Sequence, residues 1–322
     1  MRINKYYWLW LFLSVIISFK TLAQHSISPT FKIIPLGVKG GLDESNLSSY
    51  MVAPDTSNRY ICLDAGTLYS GIEKAVKEGV FKATTSTVLR NYIKGYLISH
   101  PHLDHVSGLI INSPDDTVKK IYGLPFCLDV IKDKYFTWKS WANFGNEGDK
   151  PALNKYFYTY LSPGQETGVA NTGLHVKAFA LSHGNPYQST AFLVRSDSTY
   201  LLYLGDTGAD EIEKTDNLHM LWQEVAPLIQ AKKLKAIFIE VSYPDQQPVK
   251  QLFGHLTPKL LMQEMENLEK LAGKNALRGF NVLITHIKPS GNSEGQIKQQ
   301  LLESNTLRLN LIFPQQARVL KF

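Results

Sequence analysis

Short apolar runs bounded by Gly, Pro, Asn or Asp recur from residue 28 to the end of the chain. Runs of this kind predict β-strands, and longer amphipathic runs predict helices. The predicted strands are 31–37, 49–53, 59–64, 92–99, 175–182, 189–195, 199–204, 234–241, 280–285 and 308–313. The predicted helices are 69–79, 103–111, 217–231, 257–272 and 293–302. Because strands occur in succession, the pattern favours two packed sheets with helices outside over one doubly wound parallel sheet.

Two of the predicted helices carry start signals. Thr257 can cap the helix over 257–272, Pro258 suits its first turn, and Gly273 ends it. Ser293 followed by Gln296 has the spacing of a capping box at the start of the last helix.

Residues 1–23 have the three parts of a secretory signal peptide. Arg2 and Lys5 are basic, 6–19 is an uncharged apolar run, and Thr21-Leu22-Ala23 places small residues before the expected cleavage point. Cleavage after Ala23 would leave 24–322 as a single mature domain that is periplasmic or secreted. An uncleaved membrane anchor is the alternative, but a spanning helix needs about 20 apolar residues, and Lys20 ends this run too early.

The composition is that of an ordinary globular protein, with 322 residues of which 44% are hydrophobic. The formal net charge is +6, from 34 basic and 28 acidic residues. Without Arg2, Lys5 and Lys20, the mature chain has a net charge of +3, which is too small and too scattered to favour a nucleic-acid polymer as partner. Cys62 and Cys127 are interpreted as buried free thiols, with a disulfide as the alternative that export would permit.

A dense group of metal-ligand residue types lies in His100-Pro101-His102-Leu103-Asp104-His105. Pro101 indicates that the preceding strand ends here. Alternate residues of an extended segment point the same way, so His100 and His102 can bind one ion, while Asp104 and His105 can face a second ion beyond the bend. Imidazole and carboxylate suit zinc and related ions. One histidine could belong to a polar loop that binds only water, but four such residues in so short a segment favour a metal site.

Three further ligand-type residues directly follow predicted strands. They are His183 in Leu181–Gly184, Asp206 in Leu204–Gly208 and His286 in Thr285–Pro289. Each alone would more often be a turn residue. Because strand ends that face one edge commonly form sites, the three together with the first segment predict a centre for two adjacent metals.

These motifs resemble the ligand series of the metallo-β-lactamase superfamily, and Leu63-Asp64-Ala65-Gly66 is similar to its early Asp-x-Gly turn, whose Asp supports the ligands. The segment from His100 to Pro114 is similar along all fifteen positions to the signature of class II cyclic-nucleotide phosphodiesterases. Further similar segments are Gly40-Gly41, Phe238–Ser242, Phe253–Pro258 and Thr285–Pro289. The resemblance covers essentially the whole mature chain.

The resemblance implies an α/β fold, the metallo-β-lactamase αββα sandwich, in which two packed mixed β-sheets have helices outside. It implies that His100, His102 and His183 bind one divalent ion, that Asp104, His105 and His286 bind a second, and that Asp206 bridges the two. Zinc is the expected ion, with manganese or iron as alternatives. The implied reaction is hydrolysis of 3′,5′-cyclic nucleotides, cyclic AMP first, to nucleoside 5′-monophosphates by a hydroxide bound to both ions.

Other residues have predicted supporting roles. Asp104 and His255 are the expected catalytic residues, because the leaving 3′ oxygen needs a proton or a cation; a structural His255 that bonds backbone is the alternative. Glu240 and Ser242 are interpreted as partners of ligand histidines, or as a strand-end network. Asn46 is a candidate for substrate binding.

The aromatic residues Trp138, Trp141 and Phe144 can either stack on the purine or pack in the core. The segment from Trp138 to Phe144 is similar to a stretch of the family but departs from it at Thr137 and Ala142.

Two other functions remain open at the level of sequence. The same fold supports hydrolysis of lactones, thioesters, β-lactams or RNA phosphodiesters. A noncatalytic nucleotide-binding protein is the second alternative, although the complete ligand set argues against it. The expected partner is a small-molecule cyclic nucleotide, with no membrane span after signal cleavage, and the sequence favours no oligomeric state.

Overall fold

Two mixed β-sheets of seven strands each form the centre of the computed structural model, which describes residues 30–322. The strands are Phe31–Gly37 (β1), Ser49–Pro54 (β2), Tyr60–Leu63 (β3), Ile93–Leu97 (β4), Lys119–Gly123 (β5), Tyr156–Tyr160 (β6), Thr167–Val169 (β7), Leu174–Ser182 (β8), Gln188–Ser196 (β9), Thr199–Leu204 (β10), Leu234–Glu240 (β11), Asn281–Thr285 (β12), Asn310–Ile312 (β13) and Leu320–Lys321 (β14). The helices are Tyr69–Lys77 (α1), Thr85–Thr87 (α2), Leu103–Asn112 (α3), Pro125–Val130 (α4), Asp210–Glu213 (α5), Asn217–Gln230 (α6), Pro258–Ala272 (α7) and Ser293–Ser304 (α8). Single π-helical turns at Val88–Tyr92 and Ile131–Tyr135 continue α2 and α4, and Val249–Gln251 is a 3-10 turn.

The two sheets have corresponding strand orders. The first runs β14-β1-β2-β3-β4-β5-β6 and the second β13-β12-β11-β10-β9-β8-β7. In each sheet, antiparallel neighbours, β1 to β3 or β8 to β10, are followed by parallel ones, β3 to β6 or β10 to β13. The parallel strands of a sheet end at the same edge, where the connections to the next helices begin.

Three apolar clusters hold the layers together. One lies between the sheets and contains Phe238 from β11. A second packs α1 and α3 on the outer face of the first sheet, with Leu109 fully buried. The third packs α6, α7 and α8 on the outer face of the second sheet around the buried Trp222. The layers therefore follow the order helix, sheet, sheet, helix, as the sequence predicted.

Every predicted strand and helix has a counterpart in the structure, but several elements between residues 113 and 170 were missed. They are β5, β6, β7 and α4. β5 begins with a buried Lys119 that forms an ion pair with the buried Asp116. Asp116 also accepts hydrogen bonds from Tyr96 at 2.6 Å and Tyr156 at 2.8 Å. A lysine at the start of a strand gives no local sign in the sequence that it is buried. This strand therefore cannot be predicted without knowledge of its tertiary partners.

The predicted helix ends are confirmed at α7 but not at α8. Thr257 Oγ1 accepts from the backbone N–H of Leu260 at 3.4 Å, and Pro258 lies in the first turn. At α8, Asn292 occupies the cap position, and no side-chain capping bond forms there in the described structure. The predicted capping box at Ser293 is therefore wrong, because Ser293 is already the first helical residue.

Residues 1–23, interpreted as a signal peptide, lie outside the described residues. Within residues 30–322, no helix has the length and apolar character needed to cross a membrane. Cys62 and Cys127 are buried free thiols, as predicted, and burial raises the pKa of both.

Candidate metal centre

The predicted ligands lie where strands of both sheets end. The His100–His105 segment connects β4 to α3, and α3 begins at Leu103 within the motif. His183 directly follows β8, Asp206 follows β10, and His286 follows β12. All these side chains except Asp104 and His102 are almost completely buried.

Four overlapping groups of ligand-type atoms lie within 4.8 Å of one another, and two of these groups contain all seven predicted ligands. The other two contain His255, with His183 and Asp206 in one and with Glu240 and His286 in the other. The histidine group consists of His100, His102 and His183. The carboxylate group consists of Asp104, His105, Asp206 and His286. The structure thus brings all seven residues together in the division expected from the sequence.

Asp206 lies between the two groups. Its Oδ1 is 3.3 Å from His105 Nε2, and its Oδ2 is 3.2 Å from His286 Nε2. The same Oδ2 is 3.6 Å from His100 Nε2 and 3.8 Å from His183 Nε2. One carboxylate therefore faces nitrogens of both groups, which is the position that a shared ligand requires.

Hydrogen bonds fix the orientation of two rings in the histidine group. His183 Nδ1 is 2.9 Å from the carbonyl oxygen of Gly254. Because a carbonyl can only accept, Nδ1 donates, and Nε2 of the neutral ring keeps its lone pair toward the cluster. Ser99 has the same effect on His100: its hydroxyl donates to Asp64 at 2.8 Å and lies 3.0 Å from His100 Nδ1, which therefore donates.

The carboxylate group is held in the same way. His105 Nδ1 donates to the Asp64 carboxylate at 2.7 Å. The Ser242 hydroxyl donates to Glu240 at 2.7 Å and accepts from His286 Nδ1 at 2.9 Å. Glu240 and Ser242 are therefore placed behind a ligand-type histidine, where the sequence analysis expected them, and both rings turn Nε2 toward the cluster.

Asp64 contacts both sides of the site. Besides His105, its buried carboxylate accepts from the backbone N–H and hydroxyl of Ser99 and from the hydroxyl of Tyr203 at 2.6 Å. A second support comes from the Gly40-Gly41 turn. The backbone N–H of Gly41 donates to Asp104 at 2.9 Å, and a Cβ at Gly40 would lie 2.3 Å from the His286 ring.

Two nitrogens of the cluster have no hydrogen-bond partner in the described structure. They are the buried Nε2 atoms of His100 and His105. Buried polar atoms in proteins are normally hydrogen-bonded, so two buried ring nitrogens without a partner at one cluster are unusual. A cation at each position would satisfy them, and imidazoles with carboxylates form a suitable donor set for zinc. The residues present fit two divalent ions.

The charges of the site favour metal-binding protonation states for most donors. Burial raises the pKa of Asp206, but the charges of His286 and His105 outweigh it and hold that pKa well below the usual range. Partial burial also raises the pKa of Asp104, yet the charge of His105 and a hydrogen bond from His286 hold that pKa low. Burial holds the pKa of His100 well below its usual value. Ionised carboxylates and neutral imidazoles are the forms that bind cations.

His105 is the exception. Its burial lowers the pKa, but the charges of Asp206, Asp64 and Asp104 outweigh burial and raise it well above the usual value. A cation at this position would therefore displace a proton from Nε2 as it binds.

His255 lies against the donor cluster. Its ring stacks on that of His286, with centroids 5.3 Å apart, and its Nδ1 lies 2.6 Å from the Glu240 carboxylate. Because Nδ1 donates to Glu240, Nε2 is the nitrogen that remains for the cavity. Burial lowers the pKa of His255 to about 4, whereas burial raises the pKa of Glu240 to about 7. At neutral pH the His255 ring is therefore neutral, and its Nε2 carries no proton.

A cavity of about 490 Å³ opens above the cluster and reaches His102, Asp104, His183, Asp206 and His255. The rest of its wall includes Tyr187, Tyr243, Lys250, Phe253 and Lys288. No role is predicted for these five residues from the sequence. Phe253 and Lys288 lie in segments similar to the family, but nothing local in the sequence shows which aromatic residues remain exposed at a cavity.

The structure does not bring the other proposed substrate residues to this cavity. Asn46 accepts from the backbone N–H of Val38 at 3.0 Å and lines a separate cavity of about 350 Å³. Trp138 Nε1 donates to Pro151 at 2.9 Å, and Trp141 Nε1 donates to Ser113 at 3.1 Å. Phe144 packs against the core of the first sheet.

Solved structures define the class of the fold. The metallo-β-lactamase fold protein YhfI from Bacillus subtilis matches with a TM-score of 0.59 and 15% identity, over 91% of this chain and 99% of that chain. The crystal structure of unliganded yeast PDE1 matches with a TM-score of 0.81 and 26% identity, over 91% of this chain and 100% of that chain. The protein has the metallo-β-lactamase fold, and the predicted sandwich is confirmed.

The family within that fold follows from the sequence comparisons. A family model described as class-II cAMP phosphodiesterases matches residues 30–316. A 3′,5′-cyclic-nucleotide phosphodiesterase from Aliivibrio fischeri is 43% identical over 310 residues, which cover 92% of this chain and 94% of that protein. The chain therefore belongs to the class-II cAMP phosphodiesterase family.

Proposed function

We propose that this protein hydrolyses 3′,5′-cyclic nucleotides, with cyclic AMP as the first substrate, to nucleoside 5′-monophosphates at a two-metal site. The observation that carries the proposal is the pair of donor groups sharing Asp206 beneath a cavity of about 490 Å³. Membership of the class-II family indicates the substrate class of this site. The relative from Aliivibrio fischeri is named a 3′,5′-cyclic-nucleotide phosphodiesterase.

The histidine group would hold one ion, the carboxylate group the other, and Asp206 both. When bound, two such cations supply a water activated at neutral pH and positive charge for the phosphoryl oxygens. We assign zinc because most of the donors are imidazole nitrogens. Elemental analysis of the purified protein distinguishes zinc from manganese and iron.

His255 is the proton carrier in this proposal. The attacking water loses a proton as its bond to phosphorus forms, and the 3′ oxygen gains one as its bond to phosphorus breaks. The first proton passes to solvent in the open cavity, and Nε2 of the neutral His255 relays a proton from solvent to the 3′ oxygen. Glu240, 2.6 Å from Nδ1, stabilises the intermediate imidazolium. Asp104 is ionised and so has no proton to give; it serves as an acceptor and a cation ligand.

The described residues favour a single displacement at phosphorus. The hydroxyl of Ser99 is buried and committed to Asp64, and both cysteines are buried with raised pKa values. Because these groups are poor nucleophiles, water attacks directly. A chiral phosphorothioate analogue of cyclic AMP should therefore react with inversion at phosphorus.

The test is product analysis with purified mature protein, offered cyclic AMP, cyclic GMP, a lactone and a β-lactam in parallel. Cyclic AMP in isotopically labelled water should give 5′-AMP with one solvent oxygen in its phosphate, and the protein should contain close to two ions per chain. A 3′-monophosphate product, or hydrolysis of the lactone or β-lactam alone, would overturn the proposal. Tight nucleotide binding without turnover by fully loaded protein would identify a noncatalytic binder.

We also propose that residues 1–23 direct export and are removed, so that the mature protein is periplasmic or secreted. The support is the succession of basic, apolar and small residues. N-terminal sequencing of protein from fractionated cells should begin at Gln24. An intact Met1 on cytosolic protein would contradict the export proposal.

A further inference from the structure

Two exposed aromatic side chains lie at the cavity beside the histidine group. Tyr187 is 62% exposed and Phe253 is 66% exposed, and both line the cavity together with His102 and His183. A single exposed aromatic residue is common on a protein surface. Two of them on the wall of one cavity form an apolar surface beside a charged cluster, and such a surface is typical of a binding site.

Tyr187 has a fixed position relative to the cluster. Its ring centroid lies 5.3 Å from that of His102, with the rings at 71°. Its backbone N–H donates to Gly184 at 2.9 Å, and its carbonyl oxygen accepts from His183 at 3.3 Å. Glu213 also accepts from the backbone N–H of Gly184 at 2.9 Å. The turn that carries Tyr187 is therefore held from two sides.

Phe253 has a backbone conformation that its side chain disfavours. Its φ is +52°, in the left-handed region that is costly for a bulky residue. The following Gly254 has φ +76°, and a Cβ there would lie 2.1 Å from the backbone nitrogen of Gly184. The two loops thus meet backbone to backbone, and Gly254 also holds His183 through its carbonyl oxygen. This strained turn keeps a phenyl ring exposed at the cavity, where it gains little from packing.

We propose that Tyr187 and Phe253 bind the nucleobase of the cyclic nucleotide, an inference that rests on the function proposed above. A base has two flat π-faces, and aromatic side chains bind such faces with little preference among bases. Both residues lie on the side of His102 and His183. The base therefore lies on that side, and the ribose extends from it toward Asp206, where the cyclic phosphate reacts.

The remaining cavity residues suit the phosphate rather than the base. Lys250 and Lys288 place ammonium groups on the cavity wall, and the cyclic phosphate carries one negative charge. The ring of Tyr243 has the Lys288 ammonium 5.6 Å from its centroid, so one of its faces is already engaged. Among the aromatic residues of this cavity wall, Tyr187 and Phe253 are the pair with most of their surface free.

The experiment compares cyclic AMP with ribose 3′,5′-cyclic phosphate, which has no base. In the double variant of Tyr187→Ala and Phe253→Ala, KM for cyclic AMP should rise roughly 10- to 100-fold, the scale of stacking losses. KM for the base-free compound should stay at the parent value. Calorimetry should show 5′-AMP binding weakened by a similar factor, with metal content unchanged.

Matched variants separate base binding from general damage. Tyr187→Phe and Phe253→Tyr keep a π-face and should retain KM near the parent value. Phe157→Ala removes an aromatic residue of β6 that is 40% exposed and lies outside the cavity wall, and it should change neither KM. Equal losses for both substrates in the double variant would show that the loops act only through His183, and would overturn the inference. An unchanged KM for cyclic AMP would overturn it as well.

The inference is separable from the proposed function. If the parent protein fails to hydrolyse cyclic AMP, the proposed function fails, but calorimetry with 5′-AMP and ribose 5-phosphate still tests base binding. Tighter binding of 5′-AMP that disappears in the double alanine variant supports the aromatic site. Equal affinity of the parent for the two compounds excludes it.

Discussion

The histidine group and the carboxylate group lie side by side but differ in charge and support. The histidine group has three imidazoles, whereas the carboxylate group contains Asp104 and Asp206. Apart from the shared Asp206, each member of the carboxylate group is hydrogen-bonded to a residue outside the cluster. These pairs are Asp104 with Gly41, His105 with Asp64 and His286 with Ser242. In the histidine group, the half-buried His102 has a ring nitrogen 3.3 Å from His183 and, in the described structure, no such outside partner.

The two ion positions therefore differ in how strongly they hold a cation. The carboxylate position has the charge of Asp104 in addition to that of the shared Asp206, whereas the histidine position has only the shared Asp206. A dication is therefore compensated more fully at the carboxylate position. His105 and His286 are each only 1% exposed, so the carboxylate position is closed on the side away from the cavity. His102 and His183 border the cavity and the two exposed aromatic residues. Asp104 and Asp206 border the same cavity, so the two positions differ in charge and in hydrogen-bonded support rather than in access. The carboxylate position is the better suited to retain its ion.

Replacing the shared carboxylate of Asp206 should have the largest effect, because it would impair both donor groups at once. Asp206→Asn keeps the shape of the side chain but removes the charge that offsets repulsion between two dications. We expect loss of bound metal from both positions and at least about a hundredfold lower activity, the scale of defects in ligands and their supports. Elemental analysis and initial rates on the same preparation check this. Two retained ions with near-normal rates would disprove the bridging role.

Asp64→Asn should weaken both groups through their supports. An amide nitrogen in place of one carboxylate oxygen would face donors, since Asp64 accepts from Ser99, His105 and Tyr203. We expect metal affinity to fall about 10- to 100-fold, as found for partners of metal ligands. Competition with a fluorescent chelator measures the affinity.

The matched control for Asp64→Asn is Asp116→Asn. Asp116 is also a buried carboxylate, but its hydrogen-bond partners lie outside the cluster; they are Tyr96, Tyr156, Lys119 and the backbone N–H of Thr117. This control should lower the melting temperature without changing metal affinity. Equal metal affinity in both variants would show that Asp64 contributes only to folding.

The ligand-type residues were predictable from sequence because their signal is local. Each follows an apolar strand, and four of them lie within His100–His105. The contacts of the supports were only partly predictable. Ser99 and Tyr203 reach Asp64 from two different sheets, and no spacing in the sequence shows that contact. Tyr187 and Phe253 were missed for the same reason, because exposure at a cavity depends on how two distant loops meet.

The fold shows the same contrast between local and tertiary information. Strands of the second sheet such as β9 and β11 are nearly continuous buried runs and were predicted within one or two residues. β6, with the sequence Tyr-Phe-Tyr-Thr-Tyr, was missed although it alternates buried and exposed positions at its start. Its place depends on Tyr156 reaching the buried Asp116, and that interaction appears only in the folded chain.

Stepwise removal of metal should measure the difference in affinity between the two ion positions. If charge and hydrogen-bonded support set the affinity, a chelator should remove the ion of the histidine group first. We expect the two dissociation constants to differ by at least about tenfold, or about 1.4 kcal/mol. Titration with chelator, followed by elemental analysis after rapid desalting, should pass through a species with one ion per chain. Simultaneous loss of both ions at every chelator concentration would contradict unequal positions.

His255→Ala should have the smallest effect on activity of the variants considered. Its metal content shows whether His255 is a ligand in the histidine group or the carboxylate group. Its ring contacts both, stacking on His286 and lying 4.8 Å from the centroid of His183. Because Nδ1 is committed to Glu240, we expect His255 to carry a proton rather than an ion, so the variant should keep both metals. The fall in kcat should be about tenfold, below the usual range for general acid–base groups, because solvent water in an open cavity takes over proton transfer. His219→Ala, which removes an exposed histidine on α6 that contacts Gln223, is the matched control and should leave kcat unchanged. Loss of one ion from His255→Ala would instead place His255 among the metal ligands.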